Sequence, residues 1–563
     1  MTAPGSTTET DAAPGTRARR RLTNGQREAI ALAVVSLAFL VPLRGLLRAP
    51  GPPMEEGFML VFPERVLAGD VPNRDFLHLY GPGSLWTLAG LFKVFGVSLL
   101  TERLFGLGQQ MLVVFGVYAL ARPWGRILAV ACALTSALIL VPTGLTALAW
   151  IGALGLGLFA LVAGLRAHRA GTTPAGARWA LLAGMLVGLA LLFRPDLILA
   201  LGIAAIPVLR GLDRRRVERM LIGAALGIAP MLIHVLTAGP GTVVDGMILE
   251  PIFDLRGGRG LPIPPGWSRL DGFLQRAGAL EMLPWPIPRA SVAQQLFLWF
   301  LALLAVVVFL LVVARQMRRR DPASFHARSL MVIACFSAGL LPQALQRVDS
   351  QHLAWVGCVP FAFVPIATFE VLRRQAPAVP TRRLAIASGA GVLVAIALVI
   401  PAFTAQRYTD LSLESISVHR NSHLIERNGR TFYYGKPDRA AAANAVIAEA
   451  ARLTEPGDRL FVGPKNLRKT PYSDAYLYYM LPELDPATHY IEMDPGVANA
   501  EGSGLADDLA SADIAILSSI WDDWDEPNDS RDIGSAEAEG VLEEQFCLAG
   551  NYLDRYELYR KCV

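Results

Sequence analysis

The stretch "EEGFMLVFPERVLAGDVPNRDFLHLYGPG", residues 55–83, sets an unusually polar loop between long apolar runs. It opens with two adjacent acids, Glu55 and Glu56, and later places Asp75 and His78 just before a Gly-Pro turn. Apolar residues recur in its first half at helical spacing, which predicts an amphipathic helix lying at a membrane surface. Two turns rich in glycine and proline follow and fold the loop back on itself. The loop can therefore bring Asp75 or His78 close to the paired acids.

The composition around this loop is that of a membrane protein. Of the 563 residues, 53% are hydrophobic and only 18% are charged, whereas a soluble protein of this length carries more charge. Apolar runs of about 17–22 residues recur between residues 28 and 403, and each is long enough to cross a hydrocarbon core of ~30 Å. The sequence therefore predicts a polytopic α-helical membrane protein.

Charge divides the chain into parts of opposite sign. Residues 406–563 hold 28 acids against 15 bases, a net charge of −13, whereas the rest carries 20 acids and 37 bases, a net charge of +17. Such a split predicts a domain boundary. We expect a basic cytoplasmic tail at 1–28, a transmembrane domain at 29–405 with an outer first loop at 50–83, and a soluble α/β domain at 406–563. The bases lie in short loops between apolar runs, which excludes a nucleic-acid-binding face.

Arginine clusters orient the apolar runs. Five clusters hold 22 of those 37 bases, and the positive-inside rule places all five in the cytoplasm. By parity the first loop, the "FRPD" turn at Arg194, the segment "QRVDSQH" at 346–352 and the acidic domain then lie outside the cell. A chain that starts in the cytoplasm and ends outside must cross the membrane an odd number of times, but the sequence has twelve apolar runs. The run at 83–97 is short and carries Lys93. We therefore expect 11–13 spans in the plasma membrane, with the C-terminal domain extracytoplasmic.

A series of short motifs follows the first apolar run. It contains an acidic pair, a turn ending in Asp-Phe, a Gly-Pro turn and a Phe-Gly-x-Ser element with an arginine five residues on. The residues concerned are Glu55-Glu56-Gly57, Gly69, Pro72, Arg74-Asp75-Phe76, Gly81-Pro82, Phe95-Gly96, Ser98 and Arg103. This series resembles the N-terminal signature of the GT-C glycosyltransferases, most closely the branch of the protein O-mannosyltransferases and the lipid A aminoarabinose transferase. The family pair usually begins with Asp, whereas Glu55 stands there in this chain.

The resemblance implies an activity and a base. GT-C enzymes of this branch take a sugar from a polyprenyl-phosphate donor in the outer leaflet and transfer it to an acceptor hydroxyl, usually with inversion. An acid of the first loop is then the base that deprotonates or orients that hydroxyl, and the candidates are Glu55, Glu56 and Asp75. By analogy we expect a mannose or arabinose donor, and a cell-wall glycan, a lipoglycan or a protein as the acceptor.

The resemblance also implies late-chain contacts to the donor phosphate. Arginine binds phosphate through two parallel hydrogen bonds, and the "QRVDSQH" segment offers Arg347 and His352, with Asp349 to hold one of them in place. Arg194 and Arg74 are further candidates for the same task. For Arg347 and for Arg194, a plain ion pair with a nearby aspartate is the alternative, and such a pair contributes little to stability.

Other roles and other classes of protein stay open. His78 and Glu250 are candidates for an acceptor site. The histidine and cysteine spacing is not that of a metal site, although the first-loop acids could hold Mg²⁺ or Mn²⁺ beside a phosphate. One alternative is a transporter of lipid-linked sugars. Such a protein would carry charged residues at mid-membrane, and its spans would form two repeated halves. A catalytically inactive scaffold of the same fold is the other alternative.

The acidic C-terminal part has the pattern of an α/β domain. Residues 438–453 are typical of an alanine-rich helix, residues 501–510 of a second helix, and "DRLFVGP" and "DIAILSS" of strands. Cys547 and Cys562 flank a hairpin-like stretch near its end. Outside the cytoplasm a disulfide between them is permitted, and cross-strand spacing makes one plausible.

Overall fold

The computed structural model describes residues 22–254, 292–346, 350–399, 405–417, 422–522 and 533–562. Up to residue 399 the described chain is helical, with short 3₁₀ turns at several helix ends and one π-helix, Asp245–Asp254. The α-helices are α1 (Asn24–Leu40), α2 (Leu43–Arg48), α3 (Glu55–Ala68), α4 (Pro82–Phe95), α5 (Leu99–Ala121), α6 (Arg126–Leu140), α7 (Ala149–Ala170), α8 (Pro174–Phe193), α9 (Ile198–Leu209), α10 (Arg214–Ile228), α11 (Pro230–Ala238), α12 (Pro240–Val244), α13 (Val292–Arg320), α14 (Phe325–Gln346), α15 (Ser350–Gly357), α16 (Val364–Gln375) and α17 (Thr381–Val399).

Many of these helices are long and apolar enough to cross a membrane. Within the described residues nine segments meet that condition, namely Asn24–Arg48, Leu99–Trp124, Arg126–Thr143, Ala149–Ala170, Pro174–Phe193, Arg214–Ala238, Leu298–Arg320, Phe325–Leu345 and Thr381–Leu398. A bent pair, Ser350–Gly357 with Phe361–Gln375, makes ten, and Pro195–Leu209 is a shorter apolar helix. The predicted class of a multi-pass helical membrane protein is confirmed.

The helix after the first loop, α4, accounts for the surplus apolar run. It has 14 residues, fewer than the ~20 that cross a bilayer, which agrees with the shortness of the run at 83–97. Between the first loop and Arg166, three segments of spanning length remain. That is the odd number which the arginine clusters require, although the orientation that they indicate stays a prediction.

The first-loop helix α3 is buried within the protein, and its place at the membrane surface stays a prediction. Its side chains from Glu56 to Pro63 are all buried. The physical reason is that α3 packs against α4 on one side and against the C-terminal α/β part on another. The apolar residues from Phe58 to Pro63 therefore contact protein.

The chain after residue 405 begins with one more helix and continues as an α/β domain, as predicted. Its elements are α18 (Ala405–Ile416), β1 (His423–Arg427), β2 (Arg430–Tyr434), α19 (Pro437–Leu453), β3 (Arg459–Pro464), α20 (Tyr476–Met480), β4 (Asp485–Pro486), α21 (Leu505–Ala510), β5 (Ile514–Ser518), α22 (Glu537–Gln545), β6 (Phe546–Tyr552) and β7 (Tyr556–Lys561).

The strands form a hairpin and a sheet. Strands β1 and β2 pair antiparallel, and the five-stranded sheet has the order β4-β3-β5-β7-β6. Strand β3 is parallel to β4 and β5, whereas β7 is antiparallel to β5 and β6. The strands at "DRLFVGP" and "DIAILSS" and the helix at 438–453 lie where expected, whereas the helix predicted at 501–510 begins only at Leu505. A disulfide joins Cys547 on β6 to Cys562, as the cysteine spacing suggested.

The α/β part is joined closely to the first helices. The Gly45 backbone N–H donates to Ser415 Oγ at 2.9 Å, and Tyr408 Oη donates to the Ala38 carbonyl at 2.8 Å. A Cβ added at Gly45 would lie 2.2 Å from the Leu411 carbonyl oxygen, so only glycine lets α18 approach α2 this closely. This contact and the one at α3 fix the α/β part against the membrane helices.

Candidate active site

A cavity of about 420 Å³ lies where the first loop, the membrane helices and the α/β part meet. Its walls come from the start of α3, the turn between α8 and α9, helix α15, the π-helix and a loop of the α/β part. The acids, the arginine and the histidine that line it are Glu55, Arg194, Asp196, His352, Glu492 and Asp494. The structure thus brings together three of the residues that the sequence singled out, Glu55, Arg194 and His352.

Glu55 is held at the cavity by the α/β part. It is the first residue of α3, where the helix dipole favours a carboxylate, and the Tyr472 hydroxyl donates a hydrogen bond to its Oε2. The segment of the α/β part that carries Tyr472 and Tyr476 can approach α3 this closely because residue 57 is glycine. A Cβ at Gly57 would lie 2.3 Å from the Tyr476 backbone nitrogen. The half-buried carboxylate therefore faces the cavity from a fixed position.

Glu56 lies one residue further on but does not line the cavity. Its two carboxylate oxygens accept from Arg103 Nε at 2.8 Å and from Arg103 Nη2 at 2.7 Å, and both side chains are buried. Gly51 makes room for this pair, since a Cβ there would lie 1.6 Å from Glu56 Oε2. Buried within the protein and neutralised by Arg103, Glu56 lies outside the group that surrounds the cavity, and a catalytic role for it stays a prediction.

Asp75 and Arg74 form a turn away from the cavity. Asp75 Oδ2 accepts from the Val71 backbone at 2.7 Å and from Arg74 Nη2 at 2.8 Å. Arg74 holds the pKa of Asp75 below its usual range. Asp75 is therefore an ionised residue that closes its own loop, and neither side chain is among those that line the cavity.

His78 is buried and does not line the cavity. Its ring meets Phe62 and Tyr80 edge-on at centroid distances of 5.4 and 5.5 Å. Burial lowers the pKa of His78 to about 3, so the ring is neutral at pH 7. Its backbone carbonyl accepts from Asn73 Nδ2 at 2.7 Å, which fixes the turn that carries Tyr80 into the cavity wall.

Arg194 is the cation of the cavity. Its Nε donates to Asp196 Oδ1 at 2.9 Å, and its guanidinium lies 4.3 Å from the Tyr80 ring centroid. The ion pair with Asp196 is the alternative that the sequence left open for Arg194, and it is present. The same side chain nevertheless lines the cavity, so it can pair with Asp196 and still contact a phosphate there. A guanidinium has five N–H donors, and one ion pair does not use them all.

The other predicted phosphate and acceptor residues have different outcomes. His352 lines the cavity and stands 4.9 Å from the Trp355 ring, centroid to centroid. Arg347 and Asp349 lie outside the described residues. Glu250 is on the π-helix, whose residues Met247, Ile248 and Pro251 line the cavity, but Glu250 itself does not.

Sequence reasoning missed the acids that the α/β part contributes. Glu492 is 4% exposed, and burial together with the Asp494 and Glu55 carboxylates raises its pKa well above the usual range. Tyr472, which holds Glu55, was missed as well. Glu492 and Asp494 lie in a loop of an acidic domain, and nothing in "YIEMDPG" separates them from the other loop acids there.

The described residues contain no group of three or more histidine, cysteine, aspartate or glutamate side chains that could hold a metal ion. Of the acids considered for Mg²⁺ or Mn²⁺, Glu56 is paired with Arg103 and Asp75 with Arg74. Glu55 is the one that faces the cavity, where a donor phosphate would supply further oxygen ligands. A divalent ion therefore stays a proposal.

Comparison with known proteins rests on structure. No protein-family model and no curated protein matches the sequence. The structure is similar to that of ArnT from Cupriavidus metallidurans bound to undecaprenyl phosphate, with a TM-score of 0.50 and 12% identity over 94% of this chain and 98% of that one.

Two further structures were compared. The apo state of the same ArnT gives a TM-score of 0.44 and 14% identity over 95% of this chain and 98% of that one. An oligosaccharyltransferase from Archaeoglobus fulgidus, in complex with zinc and sulfate, gives a TM-score of 0.46 and 14% identity over 86% of this chain and 68% of that one. The likeness to lipid-bound ArnT spans nearly the whole of both chains and shows a shared fold, which agrees with the fold that the resemblance of the first loop predicted.

Proposed function

We propose that this chain is a glycosyltransferase that moves a sugar from a polyprenyl-phosphate donor to an acceptor hydroxyl in the cavity described above. The observation that carries the proposal is the meeting of Glu55, Arg194 and His352 in one cavity. A displacement at a sugar carbon needs a base for the nucleophile and a cation for the departing phosphate. The fold shared with an ArnT that binds undecaprenyl phosphate supports a lipid-linked donor.

In the proposed reaction the Glu55 carboxylate takes the proton of the acceptor hydroxyl. The hydroxyl oxygen forms a bond to the anomeric carbon, and the bond from that carbon to the phosphate oxygen breaks. The electron pair leaves with that oxygen, so the products are the inverted glycoside and the dianionic polyprenyl phosphate. Arg194 and His352 stabilise the second negative charge on the leaving group by electrostatic and hydrogen-bond contacts.

The cavity also suits a donor that arrives from the membrane. Ile198 and Ile248 line it, and they are 57% and 45% exposed. Exposed apolar surface beside a cavity is typical of lipid or ligand contact, so a polyprenyl chain can lie along these two side chains while its phosphate reaches Arg194. Because nucleotide sugars are absent outside the cell, we place the cavity at the outer leaflet, with the N-terminus in the cytoplasm and the α/β domain outside.

Glu55→Gln tests the proposal. Purified protein in lipid vesicles is given polyprenyl-phosphate mannose or arabinose, and donor consumption and glycoside formation are measured. General-base catalysis contributes about 10²–10⁴-fold, so we expect a loss of that size in Glu55→Gln. Glu64→Gln is the matched control, because Glu64 is an acid of the same helix that does not line the cavity. Parallel assays with a chelator and with added Mg²⁺ or Mn²⁺ test the metal.

Two results would contradict the proposal at different levels. Full activity in Glu55→Gln, with loss in Glu56→Gln at unchanged stability, would move the base to the neighbouring acid. Failure of the wild-type protein to consume any polyprenyl-phosphate sugar would reject the enzyme and favour the inactive scaffold or the transporter. Labelling of a single added cysteine in the α/β domain by an impermeant reagent on whole cells tests the orientation.

A further inference from the structure

Glu492 and Asp494 reach the cavity from a loop of the α/β part, and the backbone between them is unusual. Met493 has a φ of 53°, in the left-handed region that residues other than glycine seldom adopt. Its side chain is fully buried in the smaller core cluster of the domain, with Phe461 and Leu467. Strained backbone of this kind persists where the surrounding packing fixes it, and it concentrates at functional sites. The core thus anchors Met493 while both flanking acids line the cavity.

The Glu492 side chain has unmet hydrogen-bonding capacity. It is 4% exposed, and its Oε1 has no hydrogen-bond partner among the described residues. A buried polar atom without a partner costs stability, and in native proteins such an atom asks for an explanation such as a role in binding. Here the atom belongs to a side chain that lines a cavity large enough for a sugar.

Resting on the function proposed above, we propose that Glu492 and Asp494 form the acceptor subsite and bind the hydroxyl groups of an uncharged, polyhydroxylated acceptor such as a sugar residue. The two acids lie on the α/β wall of the cavity. Arg194 and His352, which we assign to the lipid phosphate, lie on the wall made by the membrane helices.

Glu55 joins the two walls. It begins a first-loop helix but is held by Tyr472 of the α/β part, and its carboxylate is near enough to Glu492 to raise the pKa of that residue. The hydroxyl that Glu55 deprotonates is therefore carried by a group within reach of Glu492. A donor sugar whose phosphate is bound by Arg194 can therefore meet that hydroxyl at Glu55.

The charge state of Glu492 favours a neutral acceptor. Burial and its carboxylate neighbours raise the pKa of Glu492 well above the usual range, so its carboxyl holds a proton to higher pH than that of an exposed glutamate. A protonated carboxyl both donates and accepts hydrogen bonds, as sugar hydroxyls do. An acceptor bearing a carboxylate would instead meet Asp494 and Glu55, and like charges repel. The other titratable groups that line the cavity with it are Tyr80, Arg194, Asp196 and His352.

Transfer to three octyl glycosides tests the subsite. The acceptors are octyl mannoside, octyl glucosaminide and octyl glucuronide, with polyprenyl-phosphate mannose or arabinose as the donor. We expect the neutral mannoside to be the best acceptor. Glu492→Ala should raise its KM about tenfold or more, because hydrogen bonds to the buried group are lost, and should leave the donor KM unchanged. Glu557→Gln is the control, since Glu557 is a buried acid of the same domain that pairs with Lys465 at 2.6 Å.

The pH dependence gives a readout that a merely structural role would not move. In the wild type, acceptor binding should be present below the pKa of Glu492 and be lost as the pH rises through it. Glu492→Gln cannot ionise, so it should raise the acceptor KM about threefold at pH 7 through imperfect hydrogen bonding and remove this loss at higher pH.

The subsite and the proposed function fail in different ways. An unchanged acceptor KM in Glu492→Ala, a preference for the amino or carboxylate glycoside, or donor consumption without transfer to any octyl glycoside would overturn the subsite while leaving a donor-consuming enzyme. A wild-type protein that consumes no donor would overturn both.

Discussion

Glu55 and Glu56 are consecutive acids on one helix, and the protein uses them in opposite ways. Glu55 is half-buried, accepts from a tyrosine of the α/β part and lines the cavity. Glu56 is 1% exposed and is closed into a two-bond pair with Arg103. Successive helix positions differ by 100° around the axis, so the two side chains leave α3 toward different neighbours. Proximity in sequence therefore says little about a shared role.

The comparison separates a side chain whose loss should affect the chemistry from one whose loss should affect the fold. A carboxylate at a cavity can exchange protons and meet a substrate. A carboxylate that neutralises a buried guanidinium cannot leave without exposing a charge to the protein interior. Substitutions on α3 and at its contacts test whether Glu55 serves the chemistry and Glu56 the fold.

Glu56→Ala should have the largest effect on stability. It leaves Arg103 buried without its partner, and breaking a buried ion pair in this way costs about 3–5 kcal/mol. Thermal unfolding in detergent measures the loss, with Glu55→Ala as the comparison, which should unfold near the wild-type temperature. Replacing both Glu56 and Arg103 with methionine should recover much of the loss, because the buried charge of Arg103 is then removed together with that of Glu56. A stable Glu56→Ala protein that has lost transfer would instead show that Glu56 acts directly.

Gly57→Ala should lower the stability of the fold and also disturb the position of Glu55. The new Cβ would lie 2.3 Å from the Tyr476 backbone nitrogen, and a backbone cannot yield as a flexible side chain can. Overpacking of this kind costs about 1–3 kcal/mol, and the shift of α3 should also weaken the hydrogen bond that positions Glu55. Gly90→Ala on α4 is the control, since a Cβ there meets nothing within 4 Å. Equal stability and activity in the two variants would mean that α3 does not dock on α20 as described.

Local sequence signals predicted much of the fold, but not the partners that give Glu55 and Glu56 their different surroundings. Apolar runs and strand patterns depend on neighbouring residues, so the helices, the strands and the pairing of the two late cysteines could be anticipated. The Tyr472 contact to Glu55 joins residues 417 positions apart, and the Arg103 contact to Glu56 joins residues 47 apart. Such contacts depend on how the α/β part docks, and no periodicity records that. Glu492 was missed for the same reason.

Tyr472→Phe should reduce transfer about tenfold, which corresponds to a hydrogen bond to a charged group worth ~1.5 kcal/mol. The change removes the donor to Glu55 and keeps the ring that packs, tilted, against Trp521 at 4.3 Å, centroid to centroid. Stability should therefore change little. Tyr476→Phe is the matched control, because its hydroxyl faces Tyr556 at 3.0 Å and not the cavity. Unchanged turnover in Tyr472→Phe would show that Glu55 needs no support from the α/β part.

Glu64→Gln should have the smallest effect and marks the boundary of the site along α3. Glu64 pairs with Arg430 of β2 at 2.6 Å, and the two side chains are 32% and 17% exposed. Partly exposed pairs contribute about 0.2–1 kcal/mol, and high salt should shrink the difference in thermal unfolding between wild type and variant, because ions screen exposed charges. Transfer should stay at the wild-type rate. A fall comparable with that of Glu55→Gln would mean that docking of the whole helix, and not the carboxylate at its first residue, limits turnover, since both acids join α3 to the same domain.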